Sequence, residues 1–285
     1  MNKFISYASN FEDVMLWRAL QSATPGFYVD IGAHHPLVDS VTMAFYERGW
    51  RGVNVEPIRD LHEMFVQDRP KDINICAAVA ASSGNVVFHE VVGTGLSTTD
   101  SQIAERHRQA GYDIQDYQVP MVTLRDIYET HRISEVHFLK IDVEGSEEQV
   151  LRGAALDKIR PWVIVIEATE PNTQIPTHIR WEYLLKNEQY IFVYFDGVNR
   201  YYLSKEHLEL TGYFKAPPNV FDNFIQYQYW DALLKCEQEQ YKQQQYAQAL
   251  QQSIQKITSS WTWRITKPFR APRIMFNALR DRRKG

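Results

Sequence analysis

The chain has 285 residues, 44% of them hydrophobic, and a net charge of −4, which excludes a disordered or fibrous protein and leaves room for one large domain or two small ones. No apolar run approaches the roughly 18 residues of a membrane span, and Met1-Asn-Lys-Phe-Ile has no apolar leader, so neither a spanning helix nor a secretory signal is expected. Cys76 and Cys236 are too few and too far apart for a disulfide framework or a metal knuckle, which points to a reducing cytoplasm.

Ser6-Tyr-Ala-Ser-Asn-Phe-Glu-Asp13 precedes the periodic apolar residues Val14, Leu16, Trp17 and Leu20, and reads as a capped helix start. Phe27-Tyr-Val-Asp-Ile-Gly-Ala-His-His-Pro36 reads as a buried strand over 27–31, with Asp30 near its carboxyl end and Gly32 opening the turn. Open α/β sheets bind ligands at such strand ends, and a residue without Cβ lets backbone come close. Residues 41–50 suit a first crossover helix. Arg51-Gly-Val-Asn-Val-Glu-Pro57 is a second short strand ending in Glu56, about 25 residues after Gly32, near the ~20-residue spacing of dinucleotide sites. A carboxylate there can accept hydrogen bonds from both hydroxyls of a ribose. His34 and Pro36 stand where glycines would cradle a diphosphate, so a nucleoside without one, such as S-adenosylmethionine, fits better than NAD or FAD.

Residues 61–66 suit a second crossover helix, and 73–79 and 86–92 suit strands, with Ser82-Ser-Gly-Asn85 between them as a hairpin signal. The polar stretch 93–118, headed by Gly93-Thr-Gly-Leu-Ser-Thr98, reads as a long irregular segment, either a lid over the substrate or a solvated insertion. Alternation then resumes with a strand over 136–142, a helix from Ser146, a strand over 162–167, a helix near 180–185 and a strand over 190–195. Asn199-Arg-Tyr-Tyr-Leu203 reads as a closing antiparallel strand, because the link Asp196-Gly-Val is too short for a crossover helix. This order predicts an α/β fold with a mostly parallel sheet flanked by helices.

Lys140 and Asp142 lie two apart on a strand and should share a face. They form either an ion pair that braces the sheet or, with Asp142 at the strand end, part of a reacting centre. Glu167 ends the next strand. Two such carboxylates can hold a divalent cation through oxygen ligands, or one can act as a base toward a hydroxyl. His178 follows a Pro-containing turn and is a third candidate ligand or base, or a plain surface histidine.

From Tyr229 the composition changes, with Gln at nine of the eighteen positions 238–255. Tyr229, Leu233, Cys236, Gln240, Gln243, Ala247, Leu250, Ile254 and Ile257 fall at alternating spacings of four and three, the pattern of a coiled-coil seam over 229–258 or of a lone surface helix. A seam would make the protein a homo-oligomer. Residues 259–285 hold eight Lys/Arg against the single acid Asp281, a net of +7, so residues 1–258 carry −11. In this basic tail Trp261, Trp263 and Phe269 interleave with Arg264, Lys267 and Arg270, which points to the inner face of the cytoplasmic membrane or to a partner protein. The acidic body speaks against nucleic acid.

Tyr28-Val-Asp-Ile-Gly-Ala33, Gly52-Val-Asn-Val-Glu-Pro57, Val122-Thr-Leu-Arg-Asp126 and Phe138-Leu-Lys-Ile-Asp-Val-Glu-Gly-Ser-Glu147, the last continuing through Val150-Leu-Arg-Gly153, resemble the FkbM family of S-adenosylmethionine-dependent methyltransferases. The resemblance covers roughly residues 4–225. It implies a Rossmann-like class I methyltransferase domain over 1–228, followed by the helix 229–258 and the tail 259–285. It further implies that Asp30, Gly32, Ala33 and His34 meet the methionine end of the cofactor, Glu56 and Pro57 the ribose, and Ala77 and Ala78 the adenine, with Asn10 and Asp13 lying over it. Asp142 with Lys140, Glu167 or His178 would handle the acceptor hydroxyl. By analogy with sugar and catechol methyltransferases, Mg²⁺ would be the ion at Asp142 and Glu167. His34-His35-Pro36 departs from the Asn-Val-Gly often found in this family.

The tail Ser259-Ser-Trp-Thr-Trp-Arg-Ile-Thr-Lys-Pro268, followed by Phe269-Arg270, is similar to a motif of bacterial enzymes of surface-polysaccharide assembly. The two resemblances together imply an O-methyltransferase acting on a sugar hydroxyl of a bacterial surface glycan or its precursor, with a glycosyltransferase as a candidate partner. The alternatives are a non-catalytic adaptor of a glycan-assembly complex and a methyltransferase of a small natural product.

Overall fold

Most of the short apolar runs of the N-terminal body form strands of one twisted sheet, and periodic segments between them form helices on both of its faces. The structure is a computed structural model that describes residues 3–262 and residue 265. In chain order it begins with β1 Phe4–Ser6, α1 Glu12–Leu20, β2 Phe27–Ile31, α2 Met43–Glu47, β3 Arg51–Val55, α3 Arg59–Asp68 and β4 Ile73–Ile75. Next come β5 Ala78–Val79, β6 Gly84–Val91, α4 Ser101–Gln109, β7 Ile114–Val122, α5 Leu124–His131, β8 Phe138–Ile141 and α6 Glu147–Arg152. The last elements are β9 Val163–Glu167, α7 Glu182–Asn187, β10 Tyr190–Phe195, β11 Asn199–Ser204, β12 Phe224–Gln226 and α8 Tyr227–Ser259.

Seven strands form the main sheet in the order β10-β11-β9-β8-β2-β3-β4. Strands β9, β8, β2, β3 and β4 are mutually parallel, and β11 runs antiparallel to both β9 and β10. The expected antiparallel strand is therefore present, but it slots between its neighbours and leaves β10 at the edge. From β2 the chain winds outward through β3 and β4, then returns on the other side at β8. That reversal opens a crevice outside the carboxyl ends of β2 and β8, where a ligand can enter the sheet.

Both faces of the central strands are buried, which explains their continuous apolar runs. Val29, Ile31, Leu139, Ile141, Ile164 and Ile166 pack with Leu124 of α5, Val150 of α6 and Leu185 of α7. Tyr28, Phe138, Val163 and Val165 point the other way, onto Leu16 and Leu20 of α1 and Phe45 of α2. Each such side chain contributes about 1.5–3 kcal/mol on burial. Strand alternation then puts Asp30, Lys140 and Glu167 on this second face. The sheet thus brings three polar residues to one place.

Several expectations are corrected. Residues 6–13 are not a side-chain-capped helix start: α1 begins after Phe11, which is left-handed at φ 62° and makes no side-chain cap. The helix expected over 41–50 is the five-residue α2. The strand expected over 73–79 is two strands in different sheets, β4 and β5. No hairpin forms across Ser82-Ser-Gly-Asn85, because β7 lies between β5 and β6 in a three-stranded sheet, parallel to the first and antiparallel to the second. Nor is 93–118 irregular, since it contains α4 and the first half of β7. Asp100 caps α4 by accepting from the backbone N–H groups of Gln102 and Ile103.

The chain divides into two units, Met1–Tyr227 and Gln228–Gly285. In the first, β1 pairs in parallel with β12 and so joins its two ends. The second contains nearly all of α8, a single helix of 33 residues. Among the described residues no helix is long and apolar enough to cross a membrane, and both cysteines are free. The expected basic segment beyond Ile265 lies outside the described residues, as do Trp263 and Arg264.

Candidate functional site

The turn after β2 is shaped by a close approach. Gly32 has φ +74°, and a Cβ built on it would lie 1.8 Å from the carbonyl oxygen of Asp142. Glycine is needed here because the turn after β8 packs directly on it. The N–H groups of Gly32 and Ala33 both donate to Val55 O at 3.1 Å, and Asp142 N donates to Ile31 O at 3.0 Å. The three strand ends are thereby locked together.

His34 follows in a left-handed conformation and donates its N–H to Glu56 Oε2 at 2.8 Å, while Ile58 N donates to Glu56 Oε1 at 2.8 Å. Glu56 is buried, and burial lifts its carboxyl to about 7 against the two backbone donors that hold it down. A carboxylate has about four acceptor sites, so both oxygens can still take a ligand hydroxyl. The departure at His34-His35-Pro36 is braced from below by fully buried Arg69, which donates to the Pro36 carbonyl, to Ser40 Oγ and to Thr42 Oγ1. Thr42 in turn donates to Asp30 Oδ2 at 3.2 Å.

Lys140 stands opposite Asp30 in the register of β2 and β8. Its Nζ donates to Gly32 O at 2.8 Å and lies 3.5 Å from Asp30 Oδ1 and 3.3 Å from Asp142 Oδ2. Burial works against the ammonium charge, but the two carboxylates outweigh it and raise the Lys140 pKa. The ion pair expected from the strand alternation is therefore present, with Asp30 as an additional partner.

These residues line one cleft outside the strand ends, the place where open α/β sheets take a ligand. Asp30, Gly32, Ala33, His34, Glu56, Pro57, Ala77, Ala78, Lys140 and Asp142 are all on its wall. So are Phe88, Glu144 and Ser146, which the sequence reading did not assign to a site, and Thr94, Gly95, Ser97 and Thr99 of the stretch it read as a lid or a solvated insertion. The segment headed by Gly93 thus borders the cleft through its first few residues.

Beside the cleft, one carboxylate oxygen from each of Asp142, Glu144 and Glu167 lies within 4.8 Å of the other two. Burial, then the charges of Asp142, Glu144 and Glu147, push the Glu167 carboxyl far up. Glu144 is raised by burial and by Asp142 and Glu147. Glu147, which accepts from Gly145 N at 2.9 Å, is lifted by burial to about 7. Among the described residues the cation facing this group is Lys140.

Three expected site residues lie elsewhere. Asp13 is fully buried, and its oxygens accept from Ser6 Oγ and from the N–H groups of Tyr7, Ala8 and Val14; it folds the turn before α1 and does not line the cleft. Asn10 is not on the cleft wall either, and its N–H donates to Glu12 Oε2 at 3.1 Å. His178 is on a short 3₁₀ turn with its ring 6.5 Å from that of Trp181, outside the carboxylate cluster. Glu12, the neighbour of Asp13, does not line the cleft either. It is buried, accepts from Asn199 Nδ2 at 2.9 Å, and its charge is felt by Lys140. Asn199 is paired across the sheet with Glu167.

Residues 30–192, more than half of the chain, match the sequence family described as the methyltransferase FkbM domain. No curated protein sequence matches the chain. Among solved structures, the crystal structure of methyltransferase FkbM from Methylobacillus flagellatus KT is similar at 15% identity and a TM-score of 0.41, over 66% of this chain. The match spans 47% of that relative, just under half its length, and is too remote to inform fold or activity.

Proposed function

The chain belongs to the FkbM methyltransferase family, and from that premise we propose that it is an S-adenosylmethionine-dependent O-methyltransferase acting on a sugar hydroxyl of a bacterial surface glycan or its precursor. The observation that carries the cofactor reading is buried Glu56 at the end of β3, in the same cleft as the Gly32 turn. S-adenosylmethionine, when bound, supplies a methyl group already activated on a sulfonium sulfur. Glu56 would accept the ribose hydroxyls, Ala77 and Ala78 would flank the adenine, and Asp30 with the Gly32–His34 turn would face the methionine end. The excess of carboxylates over cations in the cleft suits a ligand carrying positive charge.

The protein's own part is alignment and proton removal. An acceptor hydroxyl held in the cleft would have to give up its proton to a base on the protein. Asp142 is suited to receive it, because its side chain is 38% exposed at the mouth of the strand end and stays paired with Lys140. The glycan reading rests on the tail's motif, and the same tail would dock the enzyme at a membrane surface or on a glycosyltransferase. Self-association would run through 229–258.

Calorimetry with S-adenosylmethionine tests the core of this reading. One molecule should bind per chain, and Glu56→Gln should weaken binding by about 1.5–3 kcal/mol, the range for a hydrogen bond to a charged acceptor. Equal affinity in the two proteins would remove Glu56 from the cofactor site, and no binding to the wild type would remove the cofactor.

A further inference from the structure

We propose that Asp142, Glu144 and Glu167 form a binding site for a divalent, oxygen-preferring cation of the Mg²⁺ or Mn²⁺ class. The proposal deepens the reading of the same site as a place for an acceptor hydroxyl, but cation binding itself does not depend on that reading.

The first observation is distance. Carboxylate oxygens within 4.8 Å of one another are delivered by two separate pieces of backbone: the turn after β8, which carries Asp142 and Glu144, and the end of β9, which carries Glu167. A cation with oxygen ligands at about 2.0–2.6 Å holds those ligands roughly 3–5 Å apart, so one ion can reach all three. The second is an orphaned atom. Glu144 is 8% exposed, and its Oε2 is buried with no hydrogen-bond partner. An ionised carboxylate left in that state is costly, and an acceptor-only group has no way to satisfy itself except by a donor or a cation.

The third observation is charge balance. Lys140 lies within 3.5 Å of Asp30 and 3.3 Å of Asp142, so its single charge is shared before Glu144 and Glu167 are counted. Glu144 and Glu167 can be ionised together with Asp142 only if a further cation joins them, and a divalent ion would supply that charge. It would also keep coordination positions for water or for hydroxyl oxygens of the acceptor, since such ions take six or more oxygen ligands.

Mn²⁺ provides the probe, read by electron paramagnetic resonance on the full chain after treatment with EDTA. One Mn²⁺ should bind per chain and be displaced by Mg²⁺. Glu144→Gln and Glu167→Gln should each weaken binding by at least about tenfold, the least expected from losing even an outer-shell partner. Thermal melting supplies a second readout. Mn²⁺ should raise the wild-type melting temperature and leave that of Glu144→Gln unmoved, whereas in EDTA the variant should melt no lower than the wild type, because Glu144 Oε2 has no hydrogen-bond partner to lose. Failure of the wild type to bind Mn²⁺, or unchanged binding in both variants, would overturn the proposal and leave the carboxyls held by protons. Calorimetry with S-adenosylmethionine in EDTA reads the cofactor separately, so loss of either ligand is told apart from loss of the other.

Discussion

Lys140 faces Asp30 directly across β8 and β2, with Nζ 3.5 Å from Asp30 Oδ1 and a hydrogen bond of 2.8 Å to the Gly32 carbonyl. The ammonium therefore keeps a carboxylate and a carbonyl when Asp142 is removed. Asp142→Asn should fold with an unchanged melting temperature and bind cofactor, because no buried charge is orphaned. Methyl transfer should fall about 10²–10⁴-fold if Asp142 takes the acceptor's proton. A variant that unfolds early but shows normal activity per folded molecule would make Asp142 a brace.

The strands that build the site were legible because burial on both faces writes itself as unbroken apolar runs. β2, β3, β8 and β9 carry Asp30, Glu56, Asp142 and Glu167 at or next to their carboxyl ends, so order alone placed these acids together. What the sequence concealed was chemistry after the strands end. β8 stops at Ile141, so period-two alternation says nothing of Glu144, whose left-handed turn brings it back to the cluster. Asp13 and Glu12 show the same limit. Neighbouring acids at a helix start look interchangeable, yet one is consumed by the Ser6–Ala8 turn and the other accepts from Asn199 on β11. The polar stretch after Gly93 concealed α4, which buries only Ile103, Ala104 and His107, and β7, whose Pro120 and alternating polar residues mask a strand between two others.

Glu12 makes the protein's stability depend on pH. Burial lifts its carboxyl from 4.5 to about 7, so between those values the folded chain holds a proton that the unfolded chain releases. For an acid raised in this way, stability is fully present below the unfolded value and is lost as pH rises through the folded one. Glu12→Gln keeps an oxygen for Asn199 Nδ2 and removes the charge. From pH 5 to pH 8 the wild type should lose stability relative to this variant, by at most about 3 kcal/mol. Urea unfolding of both proteins at the two pH values measures it, and a constant gap would mean that Glu12 stays ionised.

The long helix carries the remaining expectation. α8 runs for 33 residues, roughly 50 Å at 1.5 Å per residue. Leu233, Leu250, Ile254 and Ile257 lie on its seam and are exposed by 39%, 50%, 52% and 56%. Their spacing of three and four residues fits a partner helix of the same kind. Gln240 and Gln243 interrupt the seam, so most of its association energy should come from the C-terminal end, at about 1.5–3 kcal/mol per fully buried side chain. The full chain should therefore sediment as a dimer or larger oligomer. Replacing Leu250, Ile254 and Ile257 together by Lys should give a monomer, and a chain ending at Gln228 should do the same. Cofactor affinity should be equal in all three, because the cleft is built within Met1–Tyr227. Analytical ultracentrifugation over a range of concentrations decides the matter. A wild-type chain that stays monomeric throughout would make α8 a lone helix that serves another protein.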